Sequence, residues 1–168
     1  TEIYTLSLHD ALPIYVLKVI DPARGERVMG MSVVLSKGRT LFISDTAVAE
    51  FPDPPELAQI VLQSAAMARQ FGATPRVALL SHSTFGNPKM ERSEKIREAV
   101  SILDRREDVD FEYEGEMNVD VALNANMREL YPFSRLTEAA NVLVMPALHS
   151  ASIATSLLTT AGGATVIG

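Results

Sequence analysis

Residues 76–88 read R-V-A-L-L-S-H-S-T-F-G-N-P, and this stretch decides the fold. Its four apolar residues, 77–80, form a short continuous run typical of a strand buried on both faces. The run stops at hydroxyl- and glycine-bearing residues, and a charged helical pattern comes next, over 90–106. A buried strand, a loop and a helix N-terminus make half of a βαβ unit, which predicts an α/β fold with a parallel sheet.

The loop at 81–88 is the first candidate binding site. In open α/β sheets, ligands bind outside the carboxyl ends of the strands. The free N–H groups and the dipole of the next helix favour an anionic ligand there. The alternative interpretation is that Ser81, Ser83 and Thr84 only cap the helix and turn the chain.

A second loop, at 146–152, has the same construction. It comes after a brief apolar run, N-V-L-V-M-P at 141–146, and leads into a small-residue helix that ends near residue 160. If the two strands are neighbours in a parallel sheet, both loops open at the same edge. His82 and His149 would then lie near a common crevice.

Several kinds of site are disfavoured by the motifs. Two histidines are too few for a metal site, which needs three or four ligands. The sequence has no G-x-S-x-G elbow, which argues against a hydrolase, although residue types alone leave a Ser-His-Asp triad open. Neither a G-x-G-x-x-G fingerprint nor a P-loop is present, so no nucleotide motif is found.

Composition indicates one ordinary soluble domain. The 168 residues are 47% hydrophobic and 21% charged, which is enough for a single core. The absence of cysteine excludes disulfides, thiolate catalysis and zinc–thiolate sites. A net charge of −6 argues against a nucleic-acid partner, and no apolar run is long enough to span a membrane.

The first half of the chain is predicted to be rich in strands. Apolar runs at 15–20, 28–35 and 39–44 indicate strands, and the glycine-containing connection between the last two predicts a hairpin. Asp45 ends the third run, where it either faces the crevice or forms a turn.

Helices and strands then alternate. Asp53 is the predicted N-cap of a helix that ends at Gly72. In the helix over 90–106, Lys95 and Arg97 belong to a charged face that we expect to be solvated. The alternative is that Lys89 and Arg92, at its start, reach an anion bound at the loop. The remaining predicted elements are a strand at 108–114, a turn at 115–118, a helix at 119–130 and a strand at 164–168.

Residues 1–14 fit poorly with the rest of the chain. They read T-E-I-Y-T-L-S-L-H-D-A-L-P-I and lack the basic n-region of a signal peptide. They resemble translated sequencing-adapter read-through, so we expect a non-native or disordered segment; a genuine N-terminal extension is the alternative. Residues 15–168 are then one partial domain, and because the last strand stops within a glycine-ended run we expect a fragment truncated at both ends.

Several segments together resemble one family. They are V-A-L-L-S-H-S-T-F-G-N-P at 77–88 with S-E-K-I-R-E-A-V at 93–100, F-I-S-D-T-A-V at 42–48, E-Y-E-G-E-M-N-V-D-V-A-L at 112–123, and N-V-L-V-M-P-A-L-H-S-A-S-I-A-T at 141–155. In this order they resemble the phosphate acetyl/butyryltransferase family. The variants at 82, 85–88 and 149–152 are most similar to one branch, the phosphotransacetylase-like C-terminal domain of bacterial NADP-dependent malic enzymes.

The resemblance implies a fold and a parent reaction. The fold is a three-layer αβα domain of the isocitrate/isopropylmalate dehydrogenase type, with a mostly parallel sheet. In the parent, other domains oxidatively decarboxylate malate to pyruvate with NADP and a divalent metal, so this segment needs no cofactor of its own. The parent is expected to be a cytoplasmic homo-oligomer with no membrane or nucleic-acid partner.

The first functional hypothesis is a regulatory domain that binds acetyl-CoA or another phosphate-bearing small molecule. We assign no catalytic residue and no metal ligand to the chain, because the catalytic groups of true phosphotransacetylases correspond mainly to positions beyond residue 168. The predicted ligand-binding residues are Asp45, Ser81, His82, Ser83, Thr84, Gly86, Asn87, His149 and Ser150.

Two other hypotheses stay open. One is an active phosphate acetyltransferase that moves acetyl between CoA and phosphate, although the departures at 82 and 85–88 change the loop that must hold phosphate or CoA. The other is a non-catalytic oligomerisation module with a vestigial crevice.

Overall fold

The computed structural model describes residues 27–168, so the predicted strand at 15–20 and the segment 1–14 lie outside the described residues. Six strands and five helices occur in these residues. They are β1 (Met31–Ser36), β2 (Arg39–Ser44), α1 (Pro54–Gln70), β3 (Arg76–Leu80), α2 (Glu91–Asp104), β4 (Glu112–Met117), α3 (Val119–Leu123), α4 (Ala125–Arg128), β5 (Val142–Val144), α5 (Leu148–Thr160) and β6 (Thr165–Ile167).

The six strands form one mixed sheet in the order β4-β3-β5-β2-β1-β6. The neighbours β4, β3, β5 and β2 are parallel, whereas β1 runs antiparallel to both β2 and β6. The four parallel strands therefore end at one edge of the sheet, and the segments that come after Ser44, Leu80, Met117 and Val144 lie along that edge.

Helices pack on both faces of the sheet. Alternate side chains of a strand point to opposite faces, so Val77 and Leu79 enter one core cluster while Ala78 and Leu80 enter another. The first cluster contains residues of α1 and α2, and the second contains residues of α3 and α5. Because both faces are covered, β3 and β5 are almost wholly apolar, as predicted for strands buried on both sides.

Two local predictions in the first half of the chain are confirmed. β1 and β2 form the predicted antiparallel hairpin, with Ser36 opposite Arg39. Asp53 is the N-cap of α1: its carboxylate accepts the N–H of Glu56, and the Glu56 carboxylate accepts the N–H of Asp53. This reciprocal capping box satisfies two N–H groups that the first helical turn leaves without partners.

The strand predicted at 108–114 is present but shifted toward the C-terminus, and the turn predicted at 115–118 was wrong. β4 instead runs over Glu112–Met117, and its Glu114 and Glu116 are both buried. A buried carboxylate requires a charged or hydrogen-bonding partner. Glu114 pairs with Arg135 and Glu116 pairs with Arg97, so residues 115–117, predicted as a turn, belong instead to a buried strand.

The single helix predicted over 119–130 was also wrong. Asn124 divides it into α3 and α4, because its backbone is extended at φ −114° and ψ 120° and its side chain accepts the N–H of Asn126. Of the residues predicted to line its inner side, Ala122 is buried, whereas Val119, Met127 and Leu130 are exposed.

Candidate functional site

The loops after β3 and β5 share one cavity of about 340 Å³. They meet because β3 and β5 are parallel neighbours, with Leu79 paired to Val144. This adjacency was the geometric condition set by the sequence, and it brings four predicted residues together at one edge. The lining consists of Phe51, Ser81, His82, Met90, Ser93, Lys95, Ile96, Pro146, Ala147, His149 and Ser150.

Serine hydroxyls form a connected group at the floor of the cavity. Ser81 Oγ lies 2.9 Å from Ser93 Oγ, and Ser93 Oγ lies 2.6 Å from Ser83 Oγ. Ser83 is fully buried and donates to Oε1 of Glu116 at 2.6 Å. The hydroxyls that reach the cavity are therefore linked by hydrogen bonds to a buried carboxylate, which fixes their positions.

Glu116 anchors the loop from behind. Its Oε1 also accepts the backbone N–H of Gly86 at 3.1 Å, and Nη1 of Arg97 donates to both of its oxygens at 2.9 and 2.8 Å. Arg97 was predicted on a solvated face, but it turns toward β4 because a fully buried carboxylate needs a cation nearby.

Lys95 is the cationic residue of the cavity lining. Its Nζ donates to the carbonyl oxygens of Pro52 at 3.2 Å and Pro146 at 3.3 Å. The sequence placed this lysine on the solvated face of α2, whereas the structure places it between the loops that precede α1 and α5. A positive charge at this point favours an anionic ligand.

Two helices begin at the cavity. The N-cap residues Met90 of α2 and Ala147 of α5 both line it, and neither makes a side-chain cap hydrogen bond. The positive end of each helix dipole therefore lies at the cavity and favours negative charge. The first turn of α2 carries Glu91 and Glu94, which offset its dipole, whereas that of α5 carries no acidic residue.

One wall of the cavity is apolar. Phe51, Met90 and Ile96 line it, and the ring of Phe51 lies 5.7 Å from that of His149. The cavity lining thus contains hydroxyls and a cation together with apolar side chains. This combination suits a ligand that has both an anionic group and an apolar chain.

The predicted residues at 84–87 shape the loop. Thr84 and Asn87 pair through two backbone hydrogen bonds of 2.9 and 3.1 Å, and the intervening Phe85 and Gly86 have φ of 49° and 86°. Positive φ at both central residues is typical of a tight two-residue hairpin turn. Oγ1 of Thr84 also accepts the N–H of Asn118 at 3.0 Å, so this turn is fixed to the start of α3.

Asp45 takes the turn-forming role, one of the two alternatives that the sequence left open. Its carboxylate is buried and accepts four backbone N–H groups, from Gly30, Ala47, Val48 and Ala49, at 2.7 to 3.2 Å. Those four bonds organise the segment after β2.

Five lining residues outside the two predicted loops were missed from the sequence: Phe51, Met90, Ser93, Lys95 and Ile96. Ser93 and Lys95 lie in the first two turns of α2, the helix predicted to come after the loop. A search of that helix start for hydroxyls and cations could have found them. No sequence pattern indicated that Phe51 and Met90 line a cavity, because each is an isolated apolar residue next to the start of a helix.

A larger cavity of about 670 Å³ lies at the opposite edge of the sheet. It is lined mostly by apolar side chains together with Arg39, Arg76 and Asn141. Arg76 already donates to the carbonyl of Ala139 and pairs with Glu138, and the Asn141 side chain bonds to residues 74 and 76. Its polar groups therefore hold the start of β3 rather than converge on a ligand.

Two further observations concern the described part of the chain. Residues 27–168 contain no group of three or more histidine, aspartate or glutamate side chains placed to share a metal ion. No helix within those residues is both long and apolar enough to cross a bilayer.

The family profile described as phosphate acetyl/butaryl transferase matches residues 11–168. The chain belongs to this family. The resemblance drawn from the motifs is thereby confirmed for the phosphate acetyl/butaryl transferase part, and the order of the motifs matches the observed order of strands and loops.

Curated relatives place the chain nearer to one branch of the family. It is 55% identical to an NADP-dependent malic enzyme of Rhizobium meliloti over all 168 residues, which are 21% of that protein. It is 30% identical to the phosphate acetyltransferase of Bacillus subtilis over 154 residues, which cover 90% of this chain and 47% of that protein. The chain thus spans about a fifth of the malic enzyme. The first alignment includes residues 1–14, whose origin stays a prediction.

Solved structures of the family have the same architecture. The EutD phosphotransacetylase from Staphylococcus aureus superimposes with a TM-score of 0.85 at 28% identity, over 97% of this chain and 51% of that one. A phosphotransacetylase from Streptococcus pyogenes gives a TM-score of 0.82 at 26% identity, over 95% and 50%. The chain therefore corresponds to about half of a phosphotransacetylase.

Proposed function

We propose that this chain is part of the regulatory phosphotransacetylase-like domain of an NADP-dependent malic enzyme, and that its cavity binds acetyl-CoA. The single observation that carries this proposal is the cavity between the loops after β3 and β5, whose lining is both polar and apolar. Its hydroxyls, Lys95 and the α5 N-terminus suit a phosphate-bearing group. Phe51, Met90 and Ile96 suit an acyl-pantetheine chain.

The choice of the malic branch rests on similarity. Identity to the Rhizobium meliloti malic enzyme is 55%, against 30% to the Bacillus subtilis phosphate acetyltransferase. In this proposal the parent oxidatively decarboxylates malate to pyruvate in the cytoplasm, and its NADP and divalent metal are held by domains outside this chain. The helices on both faces of the sheet support a three-layer fold of the isocitrate dehydrogenase type.

Calorimetric titration of acetyl-CoA into the 168-residue chain tests the binding. Lys95→Met removes the cation from the cavity lining, and we expect the dissociation constant to rise about tenfold, the effect of one lost charged hydrogen bond. Lys37→Met is the matched control, since Lys37 is exposed in the β1–β2 turn, does not line the cavity and undergoes the same charge change. Absence of binding by the unmodified chain, or equal effects of the two substitutions, would end the proposal.

A second candidate function is acetyl transfer between CoA and phosphate, which the similarity to the Bacillus subtilis enzyme over 90% of this chain favours. In that reaction the CoA thiolate attacks the carbonyl carbon of acetyl phosphate, the carbon–sulfur bond forms and the phosphate leaves. The cavity offers donors for the phosphate oxygens. Chromatographic detection of acetyl-CoA made from acetyl phosphate and CoA, and absent when either is omitted, would favour this candidate over the regulatory one.

A further inference from the structure

Three aromatic side chains form a cluster on the face of the sheet that carries the second core cluster. The ring centroids of Phe85, Tyr131 and Phe133 lie 4.8 to 6.1 Å from one another. Phe85 and Tyr131 pack against the second core cluster, whereas Phe133 is 65% exposed. We call these three residues the aromatic platform. It presents a ring, supported from behind by two others, that a flat ligand can cover.

A cavity of about 310 Å³ adjoins the platform at Tyr131. Its volume is in the range of about 300–1,000 Å³ that is typical of ligand pockets. Arg128, Ser134 and Thr137 also line it. The N–H of Tyr131 donates to the carbonyl of Arg128 at 2.8 Å, and the N–H of Ser134 donates to the carbonyl of Tyr131 at 2.9 Å. These consecutive turns hold a cation and a hydroxyl beside an aromatic ring.

The guanidinium of Arg128 has hydrogen-bonding capacity that the described residues do not use. Its Nη1 is buried without an acceptor, and no carboxylate within residues 27–168 pairs with this side chain. A buried donor without an acceptor is unfavourable, so an oxyanion that pairs with the guanidinium supplies what the chain does not. Glu129 lines the same cavity, but it is exposed, so water and salt screen its charge.

We propose that the aromatic platform and this cavity bind a nucleoside phosphate, with the base on Phe133 and the phosphate at Arg128. Aromatic side chains stack on the faces of bases, and the planar fork of arginine matches two oxygens of a phosphate. The Ser134 hydroxyl accepts the N–H of Leu136 at 3.4 Å, which leaves its proton available for a phosphate oxygen. Side chains hold the phosphate here, so the site requires no glycine-rich fingerprint.

This site is separate from the cavity between the loops after β3 and β5. Among residues 27–168, none lines both cavities. The platform packs against the second core cluster, whereas Ile96 of the other cavity belongs to the first. The proposal therefore does not depend on the binding of acetyl-CoA.

Calorimetric titration of AMP into the 168-residue chain tests the proposal. We expect AMP to bind at least tenfold more tightly than adenosine or inorganic phosphate, because only AMP contacts both parts of the site. Phe133→Ala should raise the dissociation constant of AMP about tenfold through lost stacking. Phe71→Ala is the matched control, since Phe71 is 62% exposed and lies directly after α1. Absence of AMP binding, or equal effects of the two substitutions, overturns the proposal.

Arg128→Met separates recognition of the phosphate from a purely structural role of the arginine. We expect it to raise the dissociation constant of AMP about tenfold and to leave that of adenosine unchanged. Arg105→Met, at an exposed position directly after α2, is expected to change neither constant. If Arg128→Met weakens adenosine as strongly as AMP, the phosphate is not held at Arg128 and the proposal is wrong.

Photoaffinity labelling locates the bound nucleotide. The reactive group of 8-azido-AMP is on the base, so we expect adducts at Tyr131 or Phe133. Lys95→Met, which removes the cation of the other cavity, is expected to leave this labelling unchanged. Adducts at Phe51 or Met90 that disappear in Lys95→Met would place AMP in the cavity proposed for acetyl-CoA and would overturn the second site.

Discussion

The hydroxyl of Ser83 and the carboxylate of Glu116, 33 positions apart, share a hydrogen bond of 2.6 Å between two fully buried side chains. This bond joins the loop after β3 to the end of β4. Arg97 and the N–H of Gly86 complete the hydrogen bonding of Glu116, so one carboxylate holds the loop and α2 together. The shape of the cavity floor depends on that carboxylate.

Replacing Glu116 by glutamine is therefore expected to destabilise the chain. The substitution leaves the Arg97 guanidinium with only the more distant Glu94 carboxylate, at 3.8 Å, and breaking a buried ion pair lowers the free energy of unfolding by about 3–5 kcal/mol. Because Arg97 is one-third exposed, we expect the lower end, about 3 kcal/mol. Urea unfolding measures it, and Glu98→Gln on the exposed side of α2 should change the same quantity by under about 0.5 kcal/mol. Similar values for both would show that Glu116 is not an anchor.

Ser93→Ala is expected to weaken acetyl-CoA binding more than it weakens the fold. Ser93 Oγ joins the Ser81 and Ser83 hydroxyls, so its removal leaves the Ser81 hydroxyl with only the longer 3.3 Å hydrogen bonds to Ser83. One lost hydrogen bond of about 1 kcal/mol corresponds to a roughly fivefold rise in the dissociation constant. Calorimetry measures that rise, with the exposed Ser101→Ala of the same helix as the control. If Ser93→Ala left the dissociation constant unchanged, the serine hydroxyls would not be part of the binding site.

The raised pKa of Tyr113 predicts how the stability of the fold changes at alkaline pH. Partial burial and the 2.7 Å hydrogen bond from its hydroxyl to Asp104 raise the pKa of Tyr113 to about 12, from an ordinary value near 10. A pKa raised by folding stabilises the folded state fully below pH 10, and this stabilisation is lost as the pH rises to about 12. The free energy of unfolding should therefore fall over this interval by more than it does in Tyr113→Phe.

The absorbance of tyrosinate provides the check. Asp104→Asn removes the charged acceptor but not the burial, so it should bring the pKa of Tyr113 part of the way back toward its ordinary value. If the unmodified chain and Tyr113→Phe lose stability in parallel above pH 10, the assignment to Tyr113 is wrong.

Gly115→Ala tests how closely β3 and β4 approach. A Cβ atom at this position would lie 2.8 Å from Cβ of Leu79 and 3.0 Å from its carbonyl oxygen, so the two strands would have to separate. Such overpacking lowers the free energy of unfolding by about 1–3 kcal/mol. Gly72→Ala serves for comparison, because its Cβ would meet nothing within 4 Å and only its φ of +77° opposes the change. Thermal unfolding of the two variants separates steric cost from backbone cost, and a Gly115→Ala variant as stable as the original chain would contradict the close approach.

The parts of the fold that depend on residues close together in the sequence were predictable from it. The β1–β2 hairpin is explained by its glycine-containing turn, and the start of α1 by Asp53 with Glu56 three positions later. The adjacency of the two binding loops required only that β3 and β5 be parallel neighbours.

The errors occur where distant residues decide the structure. Glu114 and Glu116 look like solvated residues until Arg135 and Arg97 are placed beside them, and nothing in the local pattern indicates those partners. Lys95 has the spacing of a wet helix face, yet two carbonyl groups from other loops turn it to the cavity. Asn124 is neither a proline, whose ring interrupts helices, nor a conformationally free glycine. The local sequence therefore did not indicate that the helix would be interrupted there.

Helix α5 has its first turn at the cavity, where His149 and Ser150 line the wall, and its exposed side chains Ile153 and Leu157 on later turns of the same helix. Thirteen residues of α-helix form a stiff rod of about 20 Å. A ligand that shifts one end of this rod therefore also shifts the exposed side chains on its later turns. By thermodynamic reciprocity, any molecule that binds those later turns and so changes the affinity of the cavity for its ligand has its own affinity changed, by the same factor, by that ligand.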